Sequence, residues 1–301
     1  MARLEARCMN CGAIYRTENM IATDCANRGA KKAYMCLDCA SHNQRYTSGN
    51  NTDAEFGKVE NGIKCGIELE TIGSTLYARN MLFRFGFVPT NDSSLNDSYD
   101  SMHAEYQYGN SCEYVSGINH GMKRFTKQFI EIEKCLISND IAIDDSCGTH
   151  FHVSFNDMRG ENGEAYMEMI CNYFQSIFME MQKVMQNNPS ETEKFFGRYF
   201  TSYAPTMNEG TRQRCGNHSD RYVWVNCTNH SNIEFRLNKF VSAKQYTELC
   251  MFEIWACKTI VNNFCLKYND VSKRKENAKK CGHKLARKLE KIYAEMINSE
   301  F

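Results

Sequence analysis

Apolar residues recur along this chain with two different periods, and the switches between them mark its elements. Alternation with a period of two predicts strands over 63–71, 112–116, 148–156, 222–227 and 232–237. Apolar positions spaced three and four apart predict helices over 75–86, 119–138, 162–187, 243–267 and 273–297. The strands alternate polar with apolar residues, the pattern of a sheet with one packed and one open face, which antiparallel pairing provides more readily than parallel pairing. The expected class is therefore α+β, an antiparallel sheet flanked by helices. The stretch 163–181, rich in aromatic residues and Met, is expected to be core.

Cysteine spacing separates the first forty-odd residues from this pattern. The pairs 8-CMNC-11 and 36-CLDC-39 each form a knuckle that brings two thiolates to one metal. Together Cys8, Cys11, Cys36 and Cys39 supply the four sulfurs of a tetrahedral structural zinc site. Cys25, between the knuckles, is a substitute ligand or a bystander. The polar tract 41–58 reads as a linker. The expected division is a zinc-ribbon-like segment over 1–45, a linker over 46–61, the main mixed domain over 62–268 and a basic helix over 269–301.

Composition narrows the partners. In 301 residues, 36 basic side chains balance 36 acidic ones, so no global field draws the chain to nucleic acid or to an anionic membrane. The N-terminus lacks a signal-peptide layout and no apolar run approaches a membrane span, which sets the expectation of a cytoplasmic protein whose 16 cysteines are reduced, some of them metal-bound. The basic stretch 272–292 suits nucleic acid or an acidic partner, but a solvated helix face opposite an apolar stripe is the favoured reading.

Candidate chemistry lies on the strands. In 65-CGIELET-71, Glu68 and Glu70 project from one face while Ile67 and Leu69 enter the core. Two parallel carboxylates repel unless a cation sits between them. Glu113 in 112-CEYVSG-117, Glu234 with Arg236 in 231-SNIEFRLNKF-240, and His150 with His152 in 147-CGTHFHVSF-155 extend the set. Oxygen-rich donors of this kind suit magnesium or manganese, whereas zinc prefers fewer ligands with nitrogen or sulfur. Any one of these pairs alone is equally the alternation of an ordinary solvated strand. Cys65 and Cys147, beside the set, read as packing cysteines.

The succession GIELET, 92-DSSL-95, EYVSG, CGTHFHV, 222-YVWVN-226 and IEFR resembles, in order and over roughly 62–265, the amidoligase family, relatives of glutamine synthetase and of glutamate–cysteine ligases. The resemblance implies a glutamine synthetase-like catalytic sheet and an ATP-dependent ligase joining a carboxylate substrate to an amine substrate through an acyl phosphate. Matched by motif, Glu68, Glu70, Glu113, His150 and Glu234 are metal ligands, His152 lies near the nucleotide, and Arg236 meets phosphate. Gly117 departs from the family, which often has proline there. Arg198 in 195-FFGRYF-200 is a candidate second phosphate ligand, or else a surface arginine on a short helix, and Asp92 a candidate base for the amine, or else a turn cap. The expected cofactors are ATP, magnesium or manganese, and structural zinc. Two other readings stand beside the ligase: an adaptor using the ribbon and basic tail on nucleic acid or protein, and a phosphotransferase on the same metal site.

Overall fold

The computed structural model describes residues 5–8, 13–16, 20–23, 33–36, 64–85, 87–90, 112–116, 122–154, 163–198, 215, 223–227, 232–264 and 271–299. Cys11, Cys25, Cys39, Asp92, Gly117 and the linker over 46–61 lie outside them. The chain divides into two compact units, 1–149 and 150–301.

The first unit opens with two antiparallel hairpin pairs, β1 (Glu5–Arg7) with β2 (Ile14–Arg16) and β3 (Met20–Thr23) with β4 (Ala33–Cys36). There follow β5 (Lys64–Thr71), β6 (Gly73–Ser74), α1 (Leu76–Arg84), β7 (Val88–Thr90), β8 (Cys112–Val115), α2 (Met122–Ile137) and β9 (Ile141–Ala142). Strand β8 runs between β5 and β7, antiparallel to both. Alternation on β5 does what the sequence pattern implies, since Ile67 and Leu69 are buried, and Leu69 lies opposite the buried Tyr114. The Tyr114 hydroxyl bonds Ser74, and Ile67 N–H donates to Ser116 Oγ at 2.8 Å. Thr75 caps α1 by accepting from Ala78 N, and its own hydroxyl donates to Asp140 Oδ1 at 3.1 Å, which fastens the helix start to the end of α2. Phe125, Phe129, Ile132 and Cys135 make the buried stripe of α2.

The second unit comprises β10 (Thr149–Ser154, entering from the last residue of the first unit), α3 (Gly163–Asn187), α4 (Pro189–Phe196), β11 (Val225–Asn226), β12 (Ile233–Phe235), α5 (Ala243–Phe264) and α6 (Val271–Ser299). Strand β12 lies between β10 and β11 and is antiparallel to both. Its core face is aromatic: Phe235 meets Phe151, Phe174 and Trp224, and Trp224 also meets Phe178 and Phe196. Met167, Ile170, Phe174, Ile177, Phe178 and Met181 of α3 are buried, as the 163–181 stretch predicts. On α6, Ala278, Cys281, Leu285, Leu289 and Ile292 are buried while Lys279, Lys280, Lys284, Arg287, Lys288 and Lys291 are exposed, so the basic stretch is the outer face of a packed helix. Gly282 marks the crossing with α3, where a Cβ would come within 2.8 Å of the Glu180 side chain. No helix among the described residues is long and apolar enough to cross a membrane.

The class is α+β with antiparallel strands, as expected. The helix α4 stands outside the five predicted ones; Pro189 at its first turn is the start signal. The predicted strand 222–227 narrows to Val225–Asn226 because Val223 and Trp224 form a bend that carries the indole into the aromatic core.

Helix α5 buries one carboxyl. Asn238 Nδ2 donates to Glu253 Oε2 at 2.9 Å, yet burial holds this carboxyl well above its ordinary value, against the opposing effect of Asn238 and Trp224. A raised native value means that the folded chain keeps a proton the unfolded chain has released, so stability falls as pH rises above the unfolded value of about 4.3. Glu253→Gln is expected to be more stable than the parent at pH 7 by about 1–3 kcal/mol and to converge with it below about pH 4. Urea unfolding of both proteins across that pH range checks it; an equal or lower stability of the variant at pH 7 refutes it.

Candidate active site

The first unit presents carboxylates on one face of a ladder. Glu68 and Glu70 alternate along β5, and β8 sets Glu113 directly opposite Glu70. Like charges facing each other across strands destabilise the pair unless donors or a cation lie among them. One donor is intrinsic to the fold: Gly148 N–H donates to Glu70 Oε2, while the Glu70 amide donates to Gly148 O at 2.9 Å. Glu70 is buried; Glu68 and Glu113 are half-buried.

In the second unit, period-two alternation puts His150 and His152 on the face of β10 opposite the buried Phe151 and Val153. Strand register sets His152 opposite Glu234, and Glu234 opposite Asn226. Glu234 is the hub. Its Oε1 lies 3.2 Å from His150 Nδ1 and accepts from Arg236 Nη1, and its Oε2 accepts from Asn226 Nδ2 at 3.1 Å. Glu234 is 3% exposed and Arg236 8%, so the pair meets largely out of water, where Coulomb attraction is stronger and an uncompensated charge more costly.

The histidines share a feature. His152 Nδ1 lies 2.9 Å from the Asn232 carboxamide oxygen, as His150 Nδ1 lies beside a Glu234 oxygen. An oxygen acceptor at Nδ1 selects the tautomer with hydrogen there and leaves the lone pair on Nε2, the arrangement common in imidazoles that ligate metals. Their oxygen partners differ in charge, a carboxylate for His150 and an amide for His152.

Arg198 follows α4 directly and is buried, not a surface side chain on that helix. Its amide donates to Leu237 O and the Lys239 amide to Phe196 O, both at 3.1 Å, so residues 196–198 run beside 237–239 just past β12. Gly197 makes this approach possible: its φ is +75° and a Cβ would meet Lys239 Cβ at 2.3 Å.

Of the ribbon cysteines, Cys8 and Cys36 come together, both buried with Met20, and Cys36 N–H donates to Cys8 Sγ at 3.3 Å. Phe83 of α1 packs on this small cluster. Cys65 and Cys147 are buried, and burial foremost pushes the Cys147 thiol up to about 12, which fits a packing role and not a nucleophile.

Asn226 and Asn232 are site residues that sequence reasoning overlooked, although Asn226 closes the YVWVN stretch. A polar amide at an otherwise apolar strand position was the available signal.

Removing the guanidinium would leave the Glu234 carboxylate buried without its cation. Arg236→Ala is expected to cost about 3–5 kcal/mol of stability, and Asn226→Ala about 1–3 kcal/mol. Unfolding midpoints measure both, and a parent-like midpoint for Arg236→Ala would mean that Glu234 is not charged in the fold.

A scan against protein-family models found no match to this chain, and a search of curated proteins found no relative.

Proposed function

We propose that the chain is an ATP- and magnesium-dependent carboxylate–amine ligase built on a glutamine synthetase-like sheet. The observation that carries the reading is the buried Glu234 carboxylate, shared by an imidazole, a guanidinium and an amide on one face of antiparallel strands. A sheet face that serves only stability gains little from so many buried polar groups.

We assign metal binding to Glu68, Glu70, Glu113, His150 and Glu234, the residues that the motif match gives. Carboxylate oxygens with one imidazole fit magnesium or manganese. The facing pair Glu70 and Glu113 is a second reason for a positive charge nearby. When bound, such a cation offsets negative charge on the phosphate oxygens of ATP.

The side chains carry the other tasks. A substrate carboxylate attacks the terminal phosphorus of ATP and expels ADP, giving an acyl phosphate; the amine then attacks the acyl carbon and expels phosphate. Arg236, with five N–H donors, can hold Glu234 and grip a phosphoryl oxygen at once. Arg198 is the second phosphate ligand we assign. His152, held at Nδ1 by Asn232, is assigned a place near the nucleotide. For the proton lost by the amine we nominate Asp92. The N-terminal cysteines Cys8, Cys11, Cys36 and Cys39 are assigned a structural zinc, supported by the Cys36 N–H to Cys8 Sγ bond.

The test is to incubate the protein with ATP, magnesium and pools of amino acids, carboxylic acids and polyamines, following phosphate release and new masses. Amide products with ADP and phosphate are expected, and Glu68→Gln and Glu234→Gln should each lower turnover by about 100-fold or more. Phosphorylated acceptors without amides would identify a phosphotransferase instead, and no ATP consumption would sink the reading.

The two histidines should separate in the same assay. His150→Ala is expected to raise the magnesium requirement and depress kcat, whereas His152→Ala mainly raises KM for ATP, by about 1–3 kcal/mol. Equal losses with an unchanged magnesium dependence would refute their separate roles.

A further inference from the structure

Charge is unevenly divided along this chain. Over Val271–Ser299, α6 carries nine Lys and Arg against three Glu, whereas 36 basic and 36 acidic side chains balance in the whole chain. Lys279, Lys280, Lys284, Arg287, Lys288 and Lys291 are exposed on its outer face, and between Glu276 and Glu295 a single acid, Glu290, interrupts them. The two flanking acids are engaged: Lys280 Nζ lies 2.7 Å from Glu276 Oε1 and Lys291 Nζ 3.8 Å from Glu295 Oε1, exposed pairs of the kind that contributes little to stability. Helix α5 sets an aromatic ring beside this row. Lys284 Nζ sits 5.4 Å from the centroid of the half-buried Trp255 ring. The exposed Met251 and the half-buried Lys258 lie on the same stripe of α5 as Trp255, four residues before it and three after.

We propose that the outer face of α6, with Trp255 beside it, binds single-stranded nucleic acid. The inference does not depend on the ligase reading, which uses none of these residues. Along the row Lys280, Lys284, Arg287 and Lys291, consecutive cations are three or four residues apart, about 4.5–6 Å along the helix axis. So regular a row suits a polymer with one negative charge per repeat, whose counterions are released as the lysines replace them. Trp255 decides between such polymers. An acidic protein segment satisfies the lysines but has no special use for an indole, whereas every base of an unpaired strand offers a π-face to stack on it. In a duplex those faces are taken up by neighbouring base pairs. Lys284 then has two partners to choose from: in the free protein its ammonium covers the ring, and in the complex it moves to a phosphate and leaves the ring to a base. An exposed cation–π contact is weaker than a base stacked on an aromatic side chain, so the exchange is favourable. A lipid surface fits less well, because the apolar stripe of α6, with Cys281, Leu285 and Leu289, is already buried and the helix has no apolar face to insert.

The experiment titrates the full chain into a fluorescein-labelled oligothymidylate of about 20 nucleotides, reading anisotropy at several salt concentrations, with a duplex of the same length and poly-glutamate for comparison. The single strand is expected to bind more tightly than the duplex, and poly-glutamate to compete poorly. Lys284→Gln/Arg287→Gln/Lys288→Gln should weaken binding by about tenfold or more and make the slope of log affinity against log salt shallower by about two. Trp255→Leu should weaken binding by about tenfold and leave that slope unchanged. The strand should also quench the indole fluorescence of the parent, since the other tryptophan, Trp224, is buried in the aromatic core. That quenching keeps the test decisive if circular dichroism shows that Trp255→Leu does not fold. Absence of binding at low salt, a duplex or poly-glutamate bound as tightly as the strand, parent-like affinity in folded Trp255→Leu, or an unquenched parent would overturn the proposal.

Discussion

A carboxylate buried on a strand face governs the second unit, because every element around Glu234 is arranged to supply it with a partner. Strand β10 brings an imidazole, β11 an amide, and Arg236, just past β12, a guanidinium. The opposite side of the same strands packs Phe235 against Phe151, Trp224 and Phe174 of α3, so the aromatic core fixes the register, and register decides which polar groups meet. A slip by one residue would send Glu234 into the aromatic layer.

The first unit solves a related problem differently. Glu70 and Glu113 face each other across a two-strand ladder, and part of the repulsion is met by the Gly148 amide. Glu70 thus has a task inside the fold besides any ligand it binds. Acids on a strand are often given one role, but here the two oxygens of one carboxylate can divide the work between backbone and solute.

Much of this was legible in the residues. The period of two on β5 and β10 placed Glu68, Glu70, His150 and His152 on their faces without any structure, because side-chain direction in a strand depends only on parity. The long helices were legible because their apolar stripes span several turns. What escaped were features set by distant contacts. Nothing local says that Arg198 is buried, since that follows from Gly197 adopting a left-handed conformation beside Lys239. Nor does local pattern say that Asn226 and Asn232 serve Glu234 and His152, because those partnerships are made by strand pairing and by a segment return, respectively. Tertiary contact also shortened the strand at 222–227, where packing of a large indole outweighed extension of the ladder.

The crossing at Gly282 has a consequence for how the basic stretch could ever be used. Beside that close crossing α6 buries Ala278, Cys281, Leu285, Leu289 and Ile292, so peeling it away to embrace a partner would expose this apolar surface at a cost. Its lysines and arginines therefore form a rigid ruler, spaced by the helical repeat, and not a flexible arm. Whatever meets them, whether an acidic protein or a phosphate backbone, would have to conform to that spacing, and selectivity would come from the shape of the visitor more than from adjustment by the host.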